Sequence, residues 1–205
     1  MAEECYSIID LMLLMSEKVA ETARSLDQEQ AAGFVDHLLA ARRVYVVGAG
    51  RSGLVARAFA MRLCHLGMEA YVVGETITPA LGEGDTLVAF SGSGETTSVV
   101  DFSETVKELD GRICLITATP DSQLGRMADC VVDLGASTPP IRTSSGQYEV
   151  RQLTGEYRSV SPAFAPFGTL YETAALIFSD AALSALMELK HCSLEEVKGR
   201  LANIQ

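Results

Sequence analysis

Basic residues are scarce in this 205-residue chain: 16 lysines and arginines stand against 27 aspartates and glutamates, for a formal net charge of −11. General binding to nucleic acid requires a basic face that displaces counterions from phosphates, so we exclude nucleic acid as a partner. A small anion stays compatible with this charge, because backbone amides and one or two arginines suffice for a local positive pocket. The composition, 48% hydrophobic and 21% charged, predicts an ordinary globular protein.

Paired cysteines and long apolar runs are also missing. The five cysteines are scattered without a C-x-x-C pair, which predicts reduced thiols in a cytosolic protein. The apolar run IIDLMLLM is interrupted by Asp10 and is too short to span a bilayer. The acids Glu3 and Glu4 precede it, where a signal peptide has a basic start. We therefore expect a cytoplasmic protein with no membrane partner.

Short β-rich runs alternate with helical runs in the middle of the chain. Strands are predicted at 43–50, 69–74, 86–92, 112–118 and 130–134, and helices at 5–24, 27–42, 52–66, 95–109, 122–129 and 168–190. Continuous apolar strands separated by helices indicate a parallel sheet that is covered on both faces. We therefore predict a three-layer α/β/α fold with five parallel strands, preceded by N-terminal helices.

We expect one domain in four parts: N-terminal helices (1–42), a parallel α/β core (43–134), a long loop (135–167) and C-terminal helices (168–205). The long loop is rich in turn formers and longer than the connections usual in compact domains, so we expect it to be functional or mobile. The helix at 168–190 is apolar almost all round, which predicts burial against the sheet, another subunit or both.

One glycine-rich turn lies between the first strand and its helix. Residues 44–59 read VYVVGAGRSGLVARAF, and the G-x-G-x-x-G spacing at 48–53 is followed by Glu75 after the second strand. That pattern is typical of a dinucleotide-binding turn, but taken alone it is a weak signal. The chain is also short for a nicotinamide domain plus a separate substrate domain.

A second stretch, AFSGSGETTSVV at 89–100, repeats the order of strand, small-residue turn and helix. Ser91, Ser93, Thr96 and Thr97 supply hydroxyls, and the glycines let a ligand approach the backbone closely. Ser93 is predicted to cap the helix, whose first amides then point at an anion. With strand order 2-1-3-4-5, both turns meet in the crevice between the first and third strands. A sugar phosphate suits that crevice better than a dinucleotide.

Three segments carry a family resemblance: GAGRSGLVARAFAMRLCHLG, YVVGETITPALGEGDTLVAFSGSGET and PFGTLYETAALIFSDA. Together they resemble the sugar isomerase (SIS) domain family and, within it, the 6-phospho-3-hexuloisomerases of the ribulose monophosphate pathway. The resemblance implies a flavodoxin-like sheet and a homo-oligomer, a tetramer with active sites at subunit interfaces. It also implies interconversion of D-arabino-hex-3-ulose 6-phosphate and D-fructose 6-phosphate through a cis-enediol, in formaldehyde assimilation, without metal or organic cofactor.

Glu172 is the candidate catalytic base. Moving a carbonyl between C3 and C2 needs one carboxylate over the C2–C3 bond, with its pKa raised by an apolar setting. Glu172 has only uncharged residues for several positions on either side, and it matches the catalytic glutamate position of the family. The alternative is a capping box, Thr169-x-x-Glu172, in which the carboxylate pairs with the Thr169 amide.

His65 is the candidate catalytic acid, through its match to the family pattern M-R-L-x-H-L-G. The alternative is a histidine that caps the C-terminus of its helix before Gly67. His65 ends the helix that begins at Ser52, about 20 Å from its own loop at 1.5 Å per residue, so it would act in a neighbouring subunit's site. The family also often carries Arg-His-Ala-Asn near the C-terminus, where residues 200–203 here read RLAN.

Contacts to substrate oxygens and phosphate are assigned to the two turns. For Arg51, its place inside the first turn favours a ligand contact over a surface ion pair. Glu95 is interpreted as a first-turn residue stabilised by the helix dipole rather than as a base. Glu75 would bind the ribose of a dinucleotide; if no dinucleotide binds, it is interpreted as a residue that supports the site or lies at a subunit interface. The predicted contacts are Arg51, Ser52, Ser91, Gly92, Ser93, Gly94, Glu95 and Thr96.

Three other functions stay open from the sequence. A related SIS isomerase would act on arabinose 5-phosphate or sedoheptulose 7-phosphate. A non-catalytic sugar-phosphate sensor would have no use for Glu172, and no basic helix-turn-helix segment accompanies this chain. An NAD-dependent enzyme is the third alternative.

Overall fold

The structure, a computed structural model, describes residues 7–135 and 169–201. Apart from its first position, the predicted long loop at 135–167 lies outside the described residues. The strands are β1 (Val44–Gly48), β2 (Ala70–Val72), β3 (Thr86–Phe90), β4 (Arg112–Thr117) and β5 (Cys130–Asp133). The helices are α1 (Ile8–Ser25), α2 (Gln28–Ala40), α3 (Gly50–His65), α4 (Thr97–Glu108), α5 (Gln123–Met127), α6 (Thr169–Leu189) and α7 (Leu194–Gly199).

The five strands form one parallel sheet in the order β2-β1-β3-β4-β5, as predicted. Strands β1 and β3 are neighbours, paired from Val44 with Thr86 to Gly48 with Phe90. Because both strands end level, the chain leaves both at the same edge of the sheet. The turns at 48–53 and 91–96 therefore start side by side.

Apolar side chains cover both faces of the sheet. Along β1, Val44 and Val46 belong to the cluster that includes side chains of α2, α3 and α6, and Tyr45 and Val47 belong to the opposite cluster with α4 and α5. This alternation is the period of two that a strand imposes on its side chains. The predicted three-layer α/β/α architecture is confirmed.

Helix α6 is buried in the first of these clusters. Among the residues that the structure describes, it is the one helix long and apolar enough to cross a bilayer, and 50% of its most apolar window is buried inside the protein. Phe178 of α6 packs on Phe34 of α2 with ring centroids 5.3 Å apart. The predicted burial of this helix against the sheet is confirmed, since Ile116 of β4 lies in the same cluster.

A buried carboxylate anchors the connection between β2 and β3. Asp85 accepts hydrogen bonds from Arg42 Nε at 3.0 Å, Arg43 Nη2 at 2.7 Å and the Gly82 amide at 3.0 Å. Burial raises the pKa of Asp85, but the hydrogen bonds from the two arginines and Gly82 outweigh burial and hold it below the usual value. Arg43 also donates to Ala80 O at 3.0 Å. The loop at 73–85 is thus tied to the amino edge of the sheet.

Candidate functional site

Each of the two turns at the carboxyl edge of the sheet leads into a helix whose N-terminus has no side-chain cap. The N-caps of α3 and α4 are Ala49 and Thr96, and neither makes a side-chain capping hydrogen bond. The other helices with a described N-cap, α1, α2, α5 and α7, are all capped by a serine or aspartate side chain. The first amides of α3 and α4 are therefore available to an anion in the crevice.

The second turn, residues 91–96, is called the hydroxyl loop below. Ser91, Ser93 and Thr96 are all buried. The hydroxyls of Ser91 and Thr96 lie 3.2 Å apart, and Ser91 Oγ accepts the Gly94 amide at 3.1 Å. The Gly92 carbonyl accepts hydrogen bonds from the Ala118 amide and from the hydroxyls of Thr117, the last residue of β4, and Thr119, which follows that strand. These bonds hold the loop in a fixed shape.

The prediction that Ser93 caps α4 is wrong. The helix begins at Thr97, and Ser93 Oγ accepts the Glu95 amide at 3.2 Å, two residues along the chain. Gly94 lies between them in the left-handed region, with φ of 63°, which delays the start of the helix.

Glu95 also differs from its prediction. It precedes α4, and its Oε1 accepts the Gln123 amide at 2.7 Å at the start of α5. The Glu95 carboxylate does stabilise a helix N-terminus, as predicted for a first-turn residue, but that helix is α5 and not α4. Glu95 therefore braces the hydroxyl loop against α5.

Glu172 lies in the first turn of α6 and reaches the first turn of α3. Arg51 Nε donates to Glu172 Oε2 at 3.2 Å; the Glu172 side chain is 12% exposed and that of Arg51 59%. Burial raises the pKa of Glu172 above its usual value, and the hydrogen bond and charge of Arg51 oppose the rise without cancelling it. The predicted direction of the pKa shift is confirmed. Because the Glu172 carboxylate contacts Arg51 of α3, its role is not limited to a capping box at the start of α6.

Tyr171, which precedes Glu172, was missed by the sequence analysis. Its hydroxyl donates to Ile116 O at 2.7 Å, and its ring covers Gly92, where an added Cβ would stand 2.9 Å from the ring. Burial and then the Glu172 charge raise the pKa of Tyr171 well above its usual value, so the phenol stays a donor. The available signal was an aromatic hydroxyl directly beside the candidate base on a largely apolar helix.

His65 lies far from these residues in its own chain. It is 8% exposed in the last turn of α3, and in the described part of the chain its buried Nδ1 has no hydrogen-bond partner. Arg51 and His65 occupy opposite ends of α3, so the single chain does not bring His65 to Glu172. The guanidinium of Arg200 covers Gly67 beside His65, and Leu201 follows where the resemblance expects a histidine.

The structure places Ser52 at the candidate site and Glu75 on the exposed surface beside α3. Ser52 belongs to the uncapped first turn of this helix, next to Arg51. Glu75 follows β2 and forms an exposed ion pair with Arg57 at 3.1 Å. The structure therefore groups Arg51, Ser52 and Glu172 beside the hydroxyl loop.

Comparison with known proteins gives consistent matches over the whole fold. The family profile described as SIS domain matches residues 37–154. A 3-hexulose-6-phosphate isomerase from Bacillus subtilis is 37% identical, covering 90% of this chain and 91% of that protein. A 3-hexulose-6-phosphate isomerase from Mycobacterium gastri is 37% identical, with 97% and 92% covered. The crystal structure of a hypothetical protein from Methanococcus jannaschii, for which the function of 3-hexulose-6-phosphate isomerase was inferred, is 27% identical with a TM-score of 0.75, covering 95% of this chain and 98% of that one.

Proposed function

The chain belongs to the SIS domain family, and on that premise we propose that it interconverts D-arabino-hex-3-ulose 6-phosphate and D-fructose 6-phosphate. The named relatives support the coarser description, a sugar-phosphate isomerase. One observation carries the chemistry: the Glu172 carboxylate is largely buried, beside Arg51, at the crevice where two uncapped helices begin.

Glu172 is proposed as the base that moves the proton between C2 and C3. It removes the C2 proton of the 3-ketose, which leaves a cis-enediol, and it returns a proton to C3 of the same face to give the 2-ketose. Its raised pKa brings the carboxylate closer to the range in which it can both accept and return a proton. One carbon is oxidised and its neighbour reduced within one molecule, so the reaction balances without a redox cofactor.

The phosphate is proposed to bind where the hydroxyl loop meets α4. Ser91, Ser93 and Thr96 place hydroxyls there, and the first amides of α4 have no side-chain cap. Arg51 extends from the neighbouring turn with its guanidinium largely exposed. It can therefore contact the sugar oxygens on which negative charge develops in the enediol.

Proton movement among the oxygens is proposed to use His65 of a neighbouring subunit in a homo-oligomer. Within one chain His65 is at the wrong end of α3, so this role requires a second copy. The activity would serve the ribulose monophosphate pathway, in formaldehyde assimilation or, in reverse, in pentose phosphate supply.

The test is NMR spectroscopy of fructose 6-phosphate in D2O with the wild type, Glu172→Gln and Glu104→Gln. Wild type should introduce deuterium at C3 of fructose 6-phosphate and form a 3-hexulose signal. Glu172→Gln should lose both by at least about 100-fold, since that is the lower end of general base catalysis. Glu104, an exposed residue of α4, is the matched control and should keep both.

Two results would overturn the proposal. Wild type that binds fructose 6-phosphate without exchange or turnover would instead indicate a sensor. Wild type that turns over arabinose 5-phosphate or sedoheptulose 7-phosphate, and not fructose 6-phosphate, would indicate a related isomerase.

A further inference from the structure

The first turn of α6 contacts both turns of the candidate site through two consecutive residues. Glu172 reaches Arg51 on the first turn, and Tyr171 lies against Gly92 of the hydroxyl loop. The Tyr171 side chain is buried, and its hydroxyl donates to Ile116 O near the end of β4. The candidate base and this ring therefore share one rigid piece of helix.

The hydroxyl loop is held from its other side as well. The Gly92 carbonyl accepts the Ala118 amide at 3.1 Å, Thr117 Oγ1 at 3.3 Å and Thr119 Oγ1 at 3.1 Å. Because these three hydrogen bonds fix the loop, the loop does not move away from the Tyr171 ring that packs on it. The ring contact therefore defines how close the first turn of α6 lies to the loop.

We propose that Tyr171 is a positioning residue whose ring sets the separation between the hydroxyl loop and the Glu172 carboxylate. This inference rests on the proposed function, in which the loop holds the C6 phosphate and Glu172 acts at C2 and C3. The substrate then bridges the two, so a change in their separation moves the base away from the proton it must take. A misplacement of about 1 Å can cost on the order of 100-fold in rate.

The ring carries this role more than the hydroxyl does. Ile116 O also accepts the Ser91 amide at 3.1 Å, so it keeps a partner when the phenol is removed. Tyr171→Phe preserves the ring over Gly92 and should keep kcat within about threefold, a small loss by the scale of misplaced groups. Tyr171→Leu removes the ring edge and lets the helix approach the loop.

The test compares kcat with the dissociation constant of fructose 6-phosphate for Tyr171→Leu, Tyr171→Phe and Phe178→Leu. Phe178 is a buried aromatic of the same helix that packs on Phe34, away from the loop, so it controls for loosening of α6. We expect Tyr171→Leu to lower kcat by about 10- to 100-fold while the dissociation constant changes little, and Phe178→Leu to leave both near wild type. Equal losses in kcat for the two leucine variants would reduce Tyr171 to a packing residue.

A second measurement probes the same contact from the loop, with the single variant Gly92→Ala, and does not require Tyr171→Leu to fold. Gly92→Ala places a methyl group 2.9 Å from the Tyr171 ring, so it should lower kcat when the ring is present. Where Tyr171→Leu folds, the methyl group has room in that background, and its effect on kcat should shrink severalfold. Effects that multiply independently would contradict the ring contact. Wild type without exchange in D2O overturns the proposed function itself, whereas active wild type with unaffected variants overturns the role of Tyr171 alone.

Discussion

At the scale of single residues, the Glu172 carboxylate is subject to two opposite influences on its pKa. Burial raises the pKa, and Arg51 lowers it. In wild type we expect the acid limb of kcat/KM to have its midpoint above the usual glutamate value of about 4.3. Arg51→Gln should move that midpoint to higher pH, because it removes the group that favours the charged carboxylate.

The measurement is kcat/KM for fructose 6-phosphate from about pH 4 to about pH 9, which reports on the free enzyme. Arg112→Gln removes an exposed arginine at the opposite edge of the sheet and should leave the midpoint in place. A midpoint that stays fixed or falls in Arg51→Gln would mean that another group titrates.

The same carboxylate should cost the folded protein stability at neutral pH. Because its pKa is raised on folding, the folded protein binds the proton more tightly than the unfolded chain does. Wild type therefore loses stability as the pH rises from about 4.3 through the folded pKa. Glu172→Gln has no proton to lose, so it should be more stable than wild type at about pH 7, and the gap should close below about pH 4. Urea unfolding at both pH values measures this gap, and a gap independent of pH would contradict a role for burial.

At the scale of elements, the strand and helix pattern could be predicted because each local signal agreed with the final packing. Continuous apolar strands between helices specify a covered parallel sheet, and Asp27 and Ser193 cap their helices as their side chains allow. The start of α4 could not be placed, since a glycine such as Gly94 accepts either hand of backbone. Its left-handed conformation moved the N-cap from Ser93 to Thr96.

Side chains that act across elements were the least predictable. Glu95 stabilises α5 and Tyr171 contacts the hydroxyl loop, and both contacts join positions distant in sequence. No spacing rule in the sequence identifies either contact, whereas the serines and glycines of the hydroxyl loop form a recognisable local pattern. The candidate base and the hydroxyl loop could thus be predicted, but the groups that brace them could not.

The anchor at Asp85 belongs to the same scale, because it joins β3 to the preceding loop. Asp85→Ala removes the acceptor shared by Arg42, Arg43 and the Gly82 amide. We expect a loss of about 2 kcal/mol in the free energy of unfolding, with kcat nearly unchanged, since the anchor lies at the edge opposite the site. Chemical unfolding and steady-state kinetics measure the two quantities.

Lys107→Ala is the control for Asp85→Ala, because the Lys107–Asp129 ion pair is about one-third exposed on each side and should cost at most about 1 kcal/mol. The lowered pKa of Asp85 adds a pH signature. Its stabilising contribution is present above the usual aspartate pKa of about 3.9 and is lost as the pH falls through the lower folded value. Equal losses in the two variants at neutral pH would contradict the anchor.

At the scale of the whole molecule, several helices present apolar side chains that nothing in the described chain covers. Exposed apolar side chains of α1, α3 and α6 include Ile8, Ile9, Met12, Leu13, Leu54, Met61, Leu176 and Ile177. Four of them, Ile8, Ile9, Met12 and Leu13, are neighbours on α1, and adjacent exposed apolar side chains are typical of surfaces that bind another protein. They are consistent with the homo-oligomer that the role of His65 requires, and that oligomer stays a prediction.

Subunit mixing tests whether His65 and Glu172 of different chains form one site. Glu172→Gln and His65→Gln should each be inactive alone. When both are co-expressed in equal amounts, a site shared by two subunits has about one chance in four of receiving an intact Glu172 and an intact His65. The mixed oligomer should therefore recover up to about a quarter of wild-type turnover.

The matched control mixes Glu172→Gln with Glu172→Ala, which lack the same group and should recover no activity. Activity of His65→Gln alone would remove His65 from the mechanism. Inactive single variants whose mixture also stays inactive would mean that both groups must come from one chain, which the position of His65 at the far end of α3 does not permit without a rearrangement of that helix. Recovery near one quarter would instead assign the acid to the neighbouring subunit, because only shared sites can combine the two intact residues.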